Sequence, residues 1–183
     1  MYSRLQTIAT LLDRFAEATG RIIAWLTLGM VLITFTVVIM RYLFQTGSLA
    51  LQESVTYLHA SVFMLGAAYT LKHDAHVRVD IAYQKFTART RAWIDLLGTL
   101  LLLFPVCLFI FFSSLEYVVA SWSLLEGSRE ADGLDGVFLL KTAIPVMAVL
   151  LLMQGCSIVL HKLLFITGHA VLAERDTGLD REL

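Results

Sequence analysis

Long apolar runs alternate with short polar segments along the whole chain. Four of these runs contain no Asp, Glu, Lys or Arg, and they are 19, 18, 20 and 19 residues long: 22–40, 54–71, 96–115 and 142–160. At a rise of about 1.5 Å per residue, a helix of this length nearly crosses the roughly 30 Å hydrocarbon core of a bilayer. Four such runs in 183 residues leave too little polar sequence to surround a soluble core. The pattern therefore predicts an all-α membrane protein, built as a single integral membrane domain over 1–183. Its four transmembrane helices are predicted at about 22–41, 52–72, 94–116 and 140–161.

The polar segment after the second run, "LKHDAHVRVDIAY" (71–83), alternates charged and apolar residues. Such alternation is typical of a half-buried strand, but a lone strand at a membrane interface would leave its backbone hydrogen-bonding groups unpaired. We therefore predict that the second helix leaves the membrane here and that a helical turn follows at about 79–86. Thr87 or Thr90 is predicted to cap the next helix, which carries Trp93 at the level of the lipid head groups.

The first twenty residues have a helical pattern of their own. Apolar residues recur there at spacings of three and four: Leu5, Ile8, Leu11, Leu12 and Phe15. One interpretation is an N-terminal amphipathic helix that lies in the inner membrane interface before the first span. The other is that this segment is the cytoplasmic start of the first transmembrane helix.

Composition and charge narrow the class and predict an orientation. Hydrophobic residues make up 58% of the chain and charged residues 16%, whereas a soluble domain is about 25% charged. The formal net charge is −1, so nothing indicates a nucleic-acid partner. Eleven of the 14 Lys and Arg residues fall in the N-terminal segment, the 72–95 segment and the C-terminal tail. The positive-inside rule therefore places both termini and the 72–95 loop in the cytoplasm.

No Asp, Glu, Lys or Arg occurs in the four apolar runs at the centres of the predicted spans. Ion and proton paths keep ionisable groups at depth, and His59 is the only such group of note, so the chain is not predicted to carry a translocation path by itself. A haem site needs two axial ligands at one depth, whereas His59 is predicted near the outer side and His161 near the inner side. Cys107 and Cys156 form no CxxC motif. We therefore predict no catalytic, cofactor-binding or metal site, and no enzymatic activity.

Small residues mark two of the predicted helices. Gly66 lies among Ala, Ser and Thr in the second helix, and Gln, Gly, Cys and Ser follow one another at 154–157 in the fourth. Small residues let helix backbones approach closely, and Gln or Ser side chains bond across helices. The third run has neither feature and suits lipid. These patterns predict one face of the bundle for another protein and one for lipid.

Specific segments of the chain resemble a known family. "QESVTYLHASVFMLGAAYTLKHDAHVRVDIAY" (52–83), "RAWIDLLG" (91–98) and "LLKTAIP" (139–145) resemble the small membrane subunit, the Q subunit of DctQ type, of tripartite ATP-independent periplasmic (TRAP) transporters. Within the family, the resemblance is to the mannitol/chloroaromatic-type branch. The matches run from about residue 40 to 168, so they cover most of the chain.

The resemblance implies a complex in a bacterial inner membrane. A periplasmic substrate-binding protein would capture an organic anion, and a large M membrane subunit would carry it inward by an elevator-type motion coupled to sodium. The Q subunit would bind neither substrate nor sodium and would pack against M as a scaffold, in contact with membrane phospholipids. No cofactor is implied for this chain, because sodium coupling belongs to M.

Nine residues are candidates for contacts with the partner subunit or with lipid: Arg41, Glu53, His59, Gly66, His76, Arg78, Asp80, Trp93 and Lys141. Glu53 is expected either to pair with Arg41 at the same depth or to reach the M subunit. Arg78 and Asp80 are expected to pair with each other, with M or with lipid head groups. Two alternatives stay open for the chain as a whole: an assembly subunit of another membrane complex, and a haem-binding redox subunit.

Overall fold

All regular secondary structure in the described part of the chain is helical. The computed structural model describes residues 2–75, 83 and 85–168, without the side chains of residues 2 and 3. Its long helices are α1 (Tyr2–Leu43), α2 (Leu49–Lys72), α3 (Ala88–Ser123) and α4 (Val137–Ile166). The predicted all-α class is confirmed.

Three of these helices are long and apolar enough to cross a membrane: α1, α3 and α4. The sequence predicted four spans. At 24 residues α2 has the length, but polar side chains, including that of His59 near its middle, interrupt its apolar run, and no stretch of it is as apolar as the best stretches of the other three helices. Length and composition therefore support a multi-pass α-helical membrane protein with three candidate spans in the described residues.

Helix α1 is continuous over 42 residues, or about 63 Å at 1.5 Å per residue. The N-terminal segment is thus the start of the first long helix, as in the second of the two interpretations. Its small residues Ala9 and Ala16 are buried, whereas Ile8, Leu11 and Phe15 are about half exposed. Three of the five residues in the apolar stripe seen in the sequence therefore face away from the other helices, whereas Leu5 and Leu12 are partly buried.

Helix α3 begins earlier than the predicted span and contains a wide turn. The Thr87 side chain accepts a hydrogen bond from the Thr90 backbone N–H and caps the helix, as predicted. Five residues, Thr99–Leu103, form a π-helical turn before the helix continues as Phe104–Ser123. Pro105 has no N–H and its ring crowds the carbonyl four residues back, which accounts for the change to the wider turn at this position.

Helix α4 contacts each of the other three helices. Gly155 allows the closest approach to α3, since a Cβ built at this position would lie 2.5 Å from the Phe104 ring. Gln154 and Ser157 are buried next to it. These small and polar residues therefore serve contacts within the chain, and the prediction that they form a partner face is wrong for α4.

Candidate functional site

Polar side chains join the helices at the two ends of the bundle. We call the end that carries the α1–α2 and α3–α4 loops the loop end, and the opposite one the terminal end. Helix association in a membrane gains little from the hydrophobic effect and rests on packing and on hydrogen bonds between helices. The polar clusters at the two ends are therefore candidates for the residues that hold the helices together.

Glu53 holds the α3–α4 loop at the loop end. Near the start of α2, its carboxylate accepts hydrogen bonds from the Ser128 hydroxyl (2.5 Å) and the Leu134 backbone N–H (2.7 Å). A Cβ at Gly133 would overlap the Ser128 hydroxyl and lie 2.8 Å from the Glu53 carboxylate, so only glycine fits there. The predicted ion pair between Glu53 and Arg41 is wrong, because among the described residues the Glu53 carboxylate binds the other loop.

A second polar cluster at the loop end joins α3 to α4. Lys141 donates to the Glu126 carboxylate and lies 3.9 Å from the centre of the Tyr117 ring, a cation–π contact. The Ser121 hydroxyl donates to the same carboxylate at 2.7 Å. The hydrogen bond from Lys141 lowers the pKa of the Glu126 carboxyl, with the Ser121 bond adding to the effect. Lys141, a predicted interface residue, thus has its main partners within the chain.

The indole of Trp122 adds a neutral link beside this cluster. Its N–H donates to the Thr142 hydroxyl at 2.8 Å, and its ring meets Phe138 edge-on at 4.7 Å between ring centres. An indole with one apolar face and one bonded N–H suits the boundary between hydrocarbon and head groups.

At the terminal end, the Glu17 carboxylate of α1 binds the residues at the C-terminal end of α2. Lys72 donates to its carboxylate at 2.6 Å, the His73 ring nitrogen lies 2.9 Å away, and Arg21 donates at 3.2 Å. Lys72 and His73 open the alternating polar segment of the sequence. The Lys72 ammonium group also lies at the negative end of the α2 dipole, so this cluster stabilises the C-terminal end of α2.

Asp13 forms a cluster that the sequence analysis missed. Its carboxylate accepts hydrogen bonds from Gln154 (3.1 Å) and Ser157 (2.6 Å), and the His161 ring nitrogen lies 3.0 Å away. The signal was present as a row of small residues around an acid on α1, Ala9, Asp13, Ala16 and Gly20, at spacings of four, three and four. The larger apolar residues on another face of α1 give the stronger pattern in the sequence, and that pattern does not include this row.

Asp95 connects the start of α3 to the end of α4. Lys162 lies 2.6 Å from its carboxylate, and the Tyr83 hydroxyl donates to it at 2.7 Å. Together with the Glu17 and Asp13 clusters, this contact ties all four helices to one another at the terminal end.

The other predicted site residues have varied positions. His59 is exposed on α2, Gly66 lies opposite Ile23 of α1, and Trp93 is 45% exposed near the start of α3. Arg41 is exposed at the end of α1. His76, Arg78 and Asp80 lie outside the described residues, so the predicted pairing of Arg78 with Asp80 stays a prediction.

No metal-binding cluster occurs among the described residues: no three His, Cys, Asp or Glu side chains lie close enough to share an ion. What the two ends offer chemically is a set of charge-assisted hydrogen bonds between helices. Such bonds are shorter and stronger than neutral ones, so they can fix the relative positions of the helices.

Comparisons with known proteins place this arrangement in a family. Residues 30–164 match the family model of the DctQ component of tripartite ATP-independent periplasmic transporters. A stretch of 92 residues is 32% identical to the C4-dicarboxylate TRAP transporter small permease protein DctQ of Vibrio cholerae; it covers 50% of this chain and 40% of that protein. The family match includes the Glu53, Glu126 and Asp95 contacts and most of the long helices. The chain belongs to the DctQ component family of tripartite ATP-independent periplasmic transporters.

Proposed function

We propose that this small permease subunit is a rigid scaffold that packs against a large M membrane subunit during sodium-coupled uptake of an organic anion. The observation that carries the proposal is the position of the charged contacts. They join the helices at both ends of the bundle, and no Asp, Glu, Lys or Arg occurs in the apolar runs between them. A body fixed at both ends is suited to a static frame, whereas a transport path needs ionisable groups at depth.

The sodium and substrate sites belong to the M subunit in this proposal, and a periplasmic binding protein delivers the substrate. The complex lies in a bacterial inner membrane. The name of the Vibrio cholerae relative contains C4-dicarboxylate, so a C4-dicarboxylate is the first substrate to test. Assignment to the mannitol/chloroaromatic-type branch is a further prediction, which transport of other carboxylates would test.

Helix α2 is proposed as a fourth span, with both termini in the cytoplasm. Its first turns contact the α3–α4 loop through Glu53, and its last residue contacts Glu17 on the N-terminal half of α1. It therefore runs the length of the bundle in the direction opposite to α1, which supports its crossing the membrane although it is less apolar.

Uptake of labelled succinate into proteoliposomes tests the proposal. Three preparations are compared, each with the binding protein and a sodium gradient: this chain alone, the M subunit alone, and both together. We expect no uptake by this chain alone, weak uptake or poor recovery for M alone, and full uptake when both are present. Sodium-driven uptake by this chain alone would contradict a scaffold role. Copurification with an unrelated membrane complex instead of M would favour the alternative of another assembly subunit.

A further inference from the structure

An apolar groove on the surface of the bundle lies between α1 and α2, in the half nearer the loop end. It has a volume of about 520 Å³ and is lined by Met30, Val31, Thr34, Phe35, Val38 and Val55. Val31, Phe35 and Val38 are 56%, 63% and 46% exposed, so the chain itself leaves the groove open. Its lining is almost entirely hydrocarbon, and only Thr34 contributes a hydroxyl.

A separate polar pocket lies beyond this groove, nearer the loop end. It is lined by Val37, Arg41, Gln45, Thr46, Gly47 and Gln52. Thr34, Val38 and Arg41 follow one another on α1 at spacings of four and three, so they lie on one face of the helix. Arg41 is exposed and forms no ion pair with any described residue. The Arg41 guanidinium group therefore lies about one helical turn beyond Val38 on the face that lines the groove, and no described acidic residue pairs with it.

The dimensions of the two sites match one leaflet of a bilayer. Met30 and Arg41 are 11 residues apart, or about 16 Å along the helix, and half of a roughly 30 Å hydrocarbon core is about 15 Å. Tyr42, 79% exposed beside Arg41, is a residue type enriched at the head-group level of membranes. The polar pocket thus lies at the height of the phosphates when the groove lies among the acyl chains.

We propose that the groove and the Arg41 pocket together bind one anionic phospholipid. Its phosphate is held by the Arg41 guanidinium, whose fork of N–H groups fits phosphate oxygens. The Gln45 and Gln52 amides and the Thr46 hydroxyl are placed to bind the glycerol head group. One acyl chain lies in the groove over residues 30–38. Charge complementarity selects this occupant over a hydrophobic helix, which would leave the arginine unpaired.

Native mass spectrometry of the full-length chain in detergent, titrated with palmitoyl-oleoyl phosphatidylglycerol, tests the site. Two substitutions address its two halves. Arg41→Gln removes the cation, and Arg129→Gln in the exposed α3–α4 loop is the matched control. Thr34→Trp fills the groove, and Thr36→Trp is its control, because both threonines are exposed on α1 and donate to the carbonyl four residues back, but only Thr34 lines the groove.

We expect Arg41→Gln to weaken phosphatidylglycerol binding about tenfold, the effect of losing one charge-assisted contact, with Arg129→Gln unchanged. Thr34→Trp should weaken binding of the same lipid, with Thr36→Trp unchanged. Wild-type affinity in either Arg41→Gln or Thr34→Trp would overturn the proposal. So would loss of M-subunit copurification in both variants with lipid binding intact, because the groove would then hold a helix of the partner.

Discussion

At the scale of single residues, acidic side chains connect most of the structure. Asp13, Glu17, Glu53, Asp95 and Glu126 each accept hydrogen bonds from residues on a different helix or loop. Each lies outside the four uncharged runs, and each side chain stays partly exposed while it binds its partners. In this position a charge can join helices without the cost of burial in hydrocarbon.

Glu53 should determine how firmly the α3–α4 loop is held. Glu53→Ala removes the acceptor for Ser128 and for the Leu134 backbone, so we expect several-fold faster proteolytic cleavage within 127–135 and a lower yield of complex with M. Limited proteolysis in detergent and copurification measure the two effects. Glu130→Ala removes an exposed carboxylate of the α3–α4 loop and should change neither the cleavage rate nor the yield. Equal effects of the two variants would mean that Glu53 does not hold this loop and only marks the end of an apolar run.

Asp13 should contribute to the stability of the protein although it lies near the N-terminus. Asp13→Ala leaves the buried Gln154 amide without its acceptor. It also leaves the Ser157 hydroxyl with only the longer bond to the Ala9 carbonyl at 3.2 Å. Loss of a hydrogen bond to a charged group costs about 1–3 kcal/mol, so the midpoint of thermal unfolding in detergent should fall. Asp132→Ala in the exposed loop is the control. An unchanged midpoint for Asp13→Ala would mean that the Asp13 cluster adds little to the stability of the bundle.

At the scale of helices, close packing depends on glycine at particular positions. A Cβ at Gly155 would meet the Phe104 ring at 2.5 Å, whereas a Cβ at Gly98, also helical, meets nothing within 4 Å. We expect Gly155→Ala to destabilise the protein by about 1–3 kcal/mol through overpacking, and Gly98→Ala to be neutral or to stabilise it by up to about 1 kcal/mol. Thermal unfolding of the two variants compares them directly, and similar midpoints would argue against a tight α3–α4 contact.

The Glu126–Lys141 contact between α3 and α4 should respond to acid. Because the pKa of Glu126 is lowered in the folded protein, its contribution is fully present above the unfolded pKa of about 4.3. It is lost as the pH falls through the lower folded pKa. The unfolding midpoint of wild type should therefore drop on acidification below about pH 4 more steeply than that of Glu126→Gln. Glu130→Gln should retain the wild-type pH profile, and identical profiles for all three would contradict the effect.

The helices could be anticipated from the sequence because an uncharged run of about 20 residues has few alternatives in a membrane protein. The Thr87 cap followed from local chemistry. The partners of Glu53 and Asp13 could not be anticipated, because they lie 75 to 148 residues away in sequence and depend on how the helices rotate against each other. A charge at a span boundary indicates only that something polar lies nearby. The length of α1 was also open, since the N-terminal pattern suited two interpretations.

At the scale of the whole molecule, α4 is the element on which the other three helices assemble. It contacts each of them. Its buried residues Gln154 and Ser157 donate hydrogen bonds to Asp13 of α1, and Gly155 lets Phe104 of α3 pack closely. The surfaces left over are mainly the outward faces of α1 and α3, which carry most of the exposed large apolar residues. Contacts with lipid and with M are therefore expected on these faces, away from α4.

The geometry also makes a prediction about topology. The α1–α2 and α3–α4 loops lie at one end of the bundle, since Glu53 at the start of α2 binds residues 128 and 134. If α1 and α3 both cross the membrane toward that end, α2 must cross back between them. Alkaline phosphatase, active only in the periplasm, should therefore be active when fused at Gly47 and at Gly127, and silent when fused at Phe86 and at Thr167. A three-span arrangement without α2 would instead give the Gly47 and Phe86 fusions the same activity and the Gly127 fusion the opposite one. Activity at Thr167 with silence at Gly127 would overturn both the fourth span and the cytoplasmic position of the C-terminal side.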